Sequence, residues 1–432
     1  MATQAEPVLT GADAQAIIDP VNYVDWDSLL DRFDRLRSET PVVRVVNDEI
    51  HDPFWLVTRY DDVMRISKDN KLFLNSPRSV TFSDKNSGAF VKSITGGDPN
   101  LVRSLVALDA PTHPQYRRLT QDWFMPKNIR QMEDEIRALA KTTVDRLVDA
   151  GGEADFVPLV SAPYPLHVVM QILGVPEADE QRMLFLTQQM FGGQDEDLNK
   201  SGMADMTPEQ IMQLVVGAVA DFEAYFAKLT QEKRANPTDD VASVIANAKV
   251  DGAYLSDRDM AGYYIILAAA GHDTTSASTA GAMMALARDP EQFARLKADR
   301  DLLPGIVEEA IRWTTPVQHF MRTAAEDTEL GGQRIAKDDW LMISYIAANH
   351  DPDVFPEPRK FDASRSPNRH IAFGAGAHQC LGLHMARMEM KILFNELLDR
   401  IETLELAGDP VRAKSTFVGG LKTLPIRYSL SK

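Results

Sequence analysis

Phe373-Gly374-Ala375-Gly376-Ala377-His378-Gln379-Cys380-Leu381-Gly382 is the stretch on which the reading of this chain turns. It carries the only cysteine in 432 residues. An apolar repeat at Leu383, Ala386, Met390, Leu393 and Leu397 follows it, with the spacing of one helix face. A sulfur at a helix N-terminus is favoured as thiolate, because free backbone N–H groups and the helix dipole stabilise negative charge. Gly374, Gly376 and Gly382 allow unusual backbone angles and the close approach of a flat object. A solitary cysteine is by default a small apolar core residue, but packing has no use for this glycine spacing. Zinc fits less well: His378, Cys380 and His384 lie close together, yet structural zinc sites draw on two or more cysteines. A lone thiolate held in this way can serve as an axial ligand to haem iron.

Composition narrows the field. Forty-six basic against 63 acidic residues leave a net charge of −17, which disfavours nucleic acid and anionic membranes as partners. A hydrophobic content of 44% supports a sizeable core. One cysteine excludes an internal disulfide and fits a reducing cytosol. The first ten residues lack a basic stretch and an apolar run, and no segment reaches the ~18 apolar residues of a spanning helix. The expectation is a cytoplasmic protein without signal peptide or membrane anchor.

A second chemistry-bearing segment is Ala269-Ala270-Gly271-His272-Asp273-Thr274-Thr275. It sits in a helical stretch over residues 256–288, with Ser256 as cap and Asp259 at the capping-box position. Helix packing explains the alanines but not the polar run from Asp273 to Ser276. Gly271 weakens the helix, and the Thr274 hydroxyl can take a carbonyl one turn earlier. His272 receives no role. His113 and Arg117 share a helix face at i, i+4 and suit a carboxylate partner. Arg322 stands between apolar residues, where an unpaired charge is costly. Glu309 and Arg312 are three apart on a helix and can pair.

Together these segments resemble the cytochrome P-450 monooxygenases, from about residue 19 to residue 430. The resemblance implies a mainly α, single-domain fold with small β-sheets, a triangular prism holding haem between a long central helix and the cysteine-loop helix. It implies that Cys380 ligates the iron, that Thr274 holds oxygen and its water, and that Asp273 helps deliver protons. His113, Arg117, Arg322 and His378 would meet the haem propionates, and Glu309, Arg312 and Arg365 would form a structural triad. The substrate pocket would draw on Phe82, Phe90, Ile266, Ala269, Phe320, Phe417 and Val418. No Cys-x-x-Cys-His occurs, so the haem is expected to be non-covalent haem b. The chain has no flavin or iron–sulfur motif. Electrons are therefore expected from a [2Fe–2S] ferredoxin and its NAD(P)H-dependent reductase, docking on cations such as Arg118, Arg387 and Lys391. Tyr164-Pro165-Leu166-His167-Val168-Val169-Met170 and Phe417-Val418-Gly419-Gly420 are similar to the terpineol-hydroxylating bacterial branch, which implies a small apolar substrate, monoterpenoid or alkyl-aromatic. A peroxide-driven peroxygenase and a non-catalytic haem sensor or carrier are the alternatives.

The remaining expectations concern organisation. Residues 1–18 are read as a flexible tail before one domain over 19–432. Helices are expected at 27–37, 61–68, 128–150 and 208–235, and paired strands at 41–46 and 53–59. Residues 75–106 lack periodicity and read as a long functional loop. Residues 192–207 read as a mobile surface connection, 341–348 as extended, and 416–430 as a hairpin.

Overall fold

The computed structural model describes residues 6–47, 49–191, 194–195 and 207–431. Its centre is a helical run that is buried on every side. The stretch Thr275 to Ala287 is entirely buried, as suits a helix surrounded by other helices. The helices Glu133–Asp149, Pro163–Ile172, Pro208–Ala235, Leu303–Thr314 and Leu383–Arg400 contribute to the same core, through Val144, Tyr164, Phe226, Ile306 and Leu393 among others.

Beside this helical mass lies a six-stranded sheet. Its order is Val8–Leu9, Val42–Val45, Phe54–Val57, Trp340–Ser344, His319–Ala324 and Phe73–Leu74. Strand alternation sorts its side chains onto two faces. Val43, Val45 and Leu56 pack on Leu29, Phe33 and Leu36 of the helix Trp26–Glu39. Val42, Trp55 and Val57 face Val63 and Ile66 of the helix Tyr60–Lys68. Smaller ladders complete the β content, including Ile401–Leu406 paired with Pro425–Leu430. The architecture is thus helix-rich with small sheets, as expected, and the helix Pro208–Ala235 has the expected bounds with a complete Thr207–Gln210 capping box.

Several expectations need correction. Within the segment read as a tail, Val8–Leu9 pairs in parallel with Arg44 and Val45, and the helix Gly11–Ile18 buries Ala14 and Ile17. With Ala16 and Ile18 also buried, half of this eight-residue helix serves to anchor it. The aperiodic segment 75–106 contains the helix Lys85–Thr95, capped by Asp84 and ended by left-handed Gly96. The helix expected over 256–288 is divided into Asp257–Ala270 and Asp273–Arg288. The hairpin expected over 416–430 is instead two strands in different sheets: Leu421–Thr423 pairs with Val411–Arg412, and Pro425–Leu430 with Ile401–Leu406. The expected surface connection at 192–207 lies almost entirely outside the described residues. Among the described residues no single helix is long and apolar enough to cross a membrane.

Candidate functional site

Four segments meet around one cavity: the Cys380 loop, the divided central helix, the strand His319–Ala324 and the helix Thr112–Gln121. It encloses about 1630 Å³ of empty space, part of it open to solvent.

The floor is built by the glycine loop. Gly374 and Gly376 have φ of 66° and 71°, in the left-handed region. A Cβ on Gly376 would also stand 2.6 Å from the Ser67 carbonyl oxygen. Gly382 needs no such freedom, with φ at −85°. The Cys380 N–H donates to the Phe373 carbonyl at 2.8 Å, which turns the sulfur towards the cavity ahead of the helix Leu383–Arg400. Burial pushes the Cys380 thiol up, while the Gly382 N–H and the Arg117 and Arg387 cations pull it down.

Across the cavity runs the central helix. Ile266, Leu267, Ala270, Gly271, Thr274, Thr275 and Ser278 line it, one face of a helical period. The Thr274 hydroxyl donates to the Ala270 carbonyl at 2.9 Å, at the break between the two halves. Asp273 is outside this face and reaches solvent, with one carboxylate oxygen 3.0 Å from His272 Nδ1. His272 is buried and points away from the cavity lining.

At one edge four nitrogen-bearing side chains converge. His113 and His378 face each other with ring centres 4.0 Å apart, and Arg117 and Arg322 line the same cavity. Burial, with the neighbouring cations, lowers His113 to about 4 and His378 to about 2. The Arg322 guanidinium is buried and, among the described residues, donates to the Met321 carbonyl alone. Among the described residues no carboxylate pairs with any of the four. Asp109, whose charge reaches His113 and Arg322, spends its oxygens on the N–H groups of Asn75 and Ser76. Buried cations without anions are costly, so this edge is chemically complete only with an anionic ligand. Two haem propionates beside a sulfur-lined floor meet that need.

The expected pocket residues divide. Ile266 and Phe320 line the cavity. Phe417 and Val418 stand one layer behind: the Phe417 ring is 5.4 Å from Phe320, and Val418 bridges Val317. Ala269 is buried off the lining face. Phe82 stacks on His51 at 4.4 Å and packs with Phe54 and Trp340, while Phe90 is exposed. The expected triad is assembled. Arg312 grips both Glu309 oxygens at 2.8 and 2.7 Å, and Arg365 Nε donates to both at 3.1 Å. Of the candidate docking cations, Arg118 and Lys391 are exposed, whereas Arg387 is bound to Glu308.

One residue at the cavity escaped the sequence reading. Glu389 is buried, lines the cavity and accepts from Thr275 Oγ1 at 3.1 Å. Burial raises its carboxyl well above the ordinary range. Its signal was a lone acid between Met388 and Met390, beside the apolar stripe of its helix.

The comparisons with known proteins agree with this geometry. The family model for cytochrome P450 matches residues 42–430. The chain is a cytochrome P450. Cytochrome P450-terp of a Pseudomonas species is 45% identical over 416 residues, covering 96% of this chain and 97% of that one. Linalool 8-monooxygenase of Pseudomonas putida is 32% identical, covering 92% and 94%. The crystal structure of CYP108D1 from Novosphingobium aromaticivorans is 63% identical, with a TM-score of 0.92 over 98% of this chain and 100% of that chain. This P450 is a haem-b monooxygenase that draws electrons from redox partners and oxygen from O2.

Proposed function

We propose that this P450 hydroxylates a small terpenoid or alkyl-aromatic substrate, with Cys380 as the iron ligand and a [2Fe–2S] ferredoxin with its NAD(P)H-dependent reductase as electron source. The observation that carries it is the cavity itself, which sets Cys380 opposite the Thr274 break and puts unpaired cations at one edge. When bound, the haem supplies the activation of dioxygen, one atom entering a C–H bond and the other leaving as water. Cys380 Sγ would hold it from below, and Arg117, Arg322, His113 and His378 at its acidic edge. Val106, Val169, Ile266, Val317 and Phe320 give the substrate side an apolar wall. They offer a terpene skeleton burial and exclude water from the reacting carbon. Thr274 Oγ1, already polarised against the Ala270 carbonyl, is the last protein atom to hold a proton before the reacting centre. Asp273, half in solvent, passes protons to it. The name of the linalool-oxidising relative favours a terpenoid; so does the scarcity of polar atoms on the substrate wall.

Screening terpenes and alkylbenzenes for a shift in iron spin state identifies the substrate. The Cys380→Ser protein should lose the absorption band of the reduced thiolate–carbon monoxide complex. A retained band assigns the ligand to another residue. Thr274→Ala should consume NADH at a similar rate with several-fold less product per NADH. An unchanged yield removes Thr274 from proton delivery. Turnover with peroxide alone, equal to that with ferredoxin and reductase, would favour the peroxygenase reading.

A further inference from the structure

The cysteine side of the cavity contains a charged cluster that none of these roles uses. Glu308 accepts from Arg387 Nε at 2.5 Å and Nη2 at 2.7 Å. His370 Nε2 stands 3.1 Å from the same carboxylate. Burial would raise the Glu308 carboxyl, but these two partners outweigh it and hold it down to about 2, so the ion pair persists through the working pH range. A guanidinium gripped through two nitrogens has its plane fixed.

That plane covers a second group. The Arg387 guanidinium carbon lies 4.7 Å from the centre of the Phe373 ring, within cation–π range. His370 approaches the same ring at 5.6 Å, tilted by 50°. Phe373 lines the cavity, and its carbonyl receives the Cys380 N–H. Arg387 was expected to be a docking cation for a redox partner. Its side chain is only one-third exposed, and two of its three nitrogens are engaged on Glu308.

We propose that Arg387, Glu308 and His370 form a clamp that fixes the Phe373 ring beside Cys380, and that the charge of this clamp sets the electron density on the sulfur. The proposal rests on Cys380 holding the iron. Arg387 is then a positioning residue. It touches no substrate and acts through Phe373 and through its field at the sulfur. A positive charge there favours the reduced iron and weakens sulfur donation, and the Glu308 carboxylate opposes both effects.

The test uses the haem-loaded protein. The ferric/ferrous midpoint potential and the C–O stretching frequency of the reduced carbon monoxide complex are measured for wild type, Arg387→Met and Glu308→Gln. Removing the cation should lower both quantities. Neutralising the acid, with one oxygen kept for the guanidinium, should raise both. Opposite signs are what charge at the ring requires, whereas mere loosening of the loop moves both variants the same way. Shifts in one direction, or none, overturn the proposal. Should one variant fail to hold haem, the other decides alone by the sign of its shift. A wild-type carbon monoxide complex without thiolate character overturns the ligand assignment itself, and that is seen before any variant is made.

Discussion

The cysteine side of the cavity and its roof are held by different forces. On the cysteine side one buried carboxylate, Glu309, accepts from Arg312, Asp362, Arg365 and Asn368, and every oxygen has a directed partner. The roof, helices Glu177–Phe191 and Pro208–Ala235, lies behind the central helix and outside the cavity lining, and Pro208–Ala235 meets the central helix through a stack of rings. Phe226 lies between Phe222 at 5.8 Å and Tyr264 at 4.7 Å, all nearly parallel. Directed bonds around a buried charge admit one geometry, because any displacement strands the charge. Stacked rings lose little when they slide, since dispersion has no preferred direction. The floor therefore admits one geometry, whereas the packing of the roof tolerates displacement.

The severest break in this contrast is Arg312→Leu. It leaves Glu309 fully buried without its two-pronged partner. Loss of one partner of a buried pair costs about 3–5 kcal/mol. The urea midpoint should fall accordingly and haem should be released early in the titration. A midpoint within error of wild type would mean that the floor does not depend on this pair.

Phe226→Leu tests the roof. The change keeps most of the volume but ends the two stacked ring contacts, each worth about 0.5–1.5 kcal/mol, besides the edge contact with the adjacent Tyr225. Stability should drop by about 1–3 kcal/mol, the carbon monoxide complex should keep its spectrum, and substrate should bind and leave faster. If the spectrum moves as far as in Arg312→Leu, floor and roof are not separate.

The same contrast explains what could be read from the sequence. The Cys380 loop and the segment from Ala269 to Thr275 were legible because local rules fix them: glycines at positive φ, a thiol ahead of a helix, a hydroxyl one turn from a carbonyl. The Glu309 triad was legible in part, since three-residue spacing on a helix pairs Glu309 with Arg312, while Arg365 needed the family pattern. The apolar wall was not. Phe82 and Phe90 sit in a segment without clear periodicity, and whether an aromatic faces a cavity, a core or water depends on tertiary packing. Glu389 was missed for the opposite reason, as a helical acid reads as surface until its neighbours are known. The helix Gly11–Ile18 has eight residues, about two turns, too few for a periodic pattern to emerge.

The smallest expected effect, and the one most specific to the roof, is a pH dependence at its hinge. His167 of the helix Pro163–Ile172 touches Glu180 of the roof helix Glu177–Phe191. Burial, helped by Glu177, raises Glu180 from 4.5 to about 7. Burial and Arg146 lower His167 from 6.5, against Glu177. A carboxyl raised on folding gives stability that is complete below 4.5 and lost as pH rises through about 7. A histidine lowered on folding acts the other way, losing stability as pH falls below 6.5. Below 6.5 the two therefore act in opposite directions, and above 6.5 the remaining loss comes from Glu180. Hydrogen exchange of residues 177–190, corrected for intrinsic rates, should show falling protection from pH 6.5 to 8. Glu180→Gln removes the group responsible, so its protection should stay level over that upper range. If wild type and variant follow the same curve there, the hinge proton is not on Glu180 and the pH response of the roof lies elsewhere.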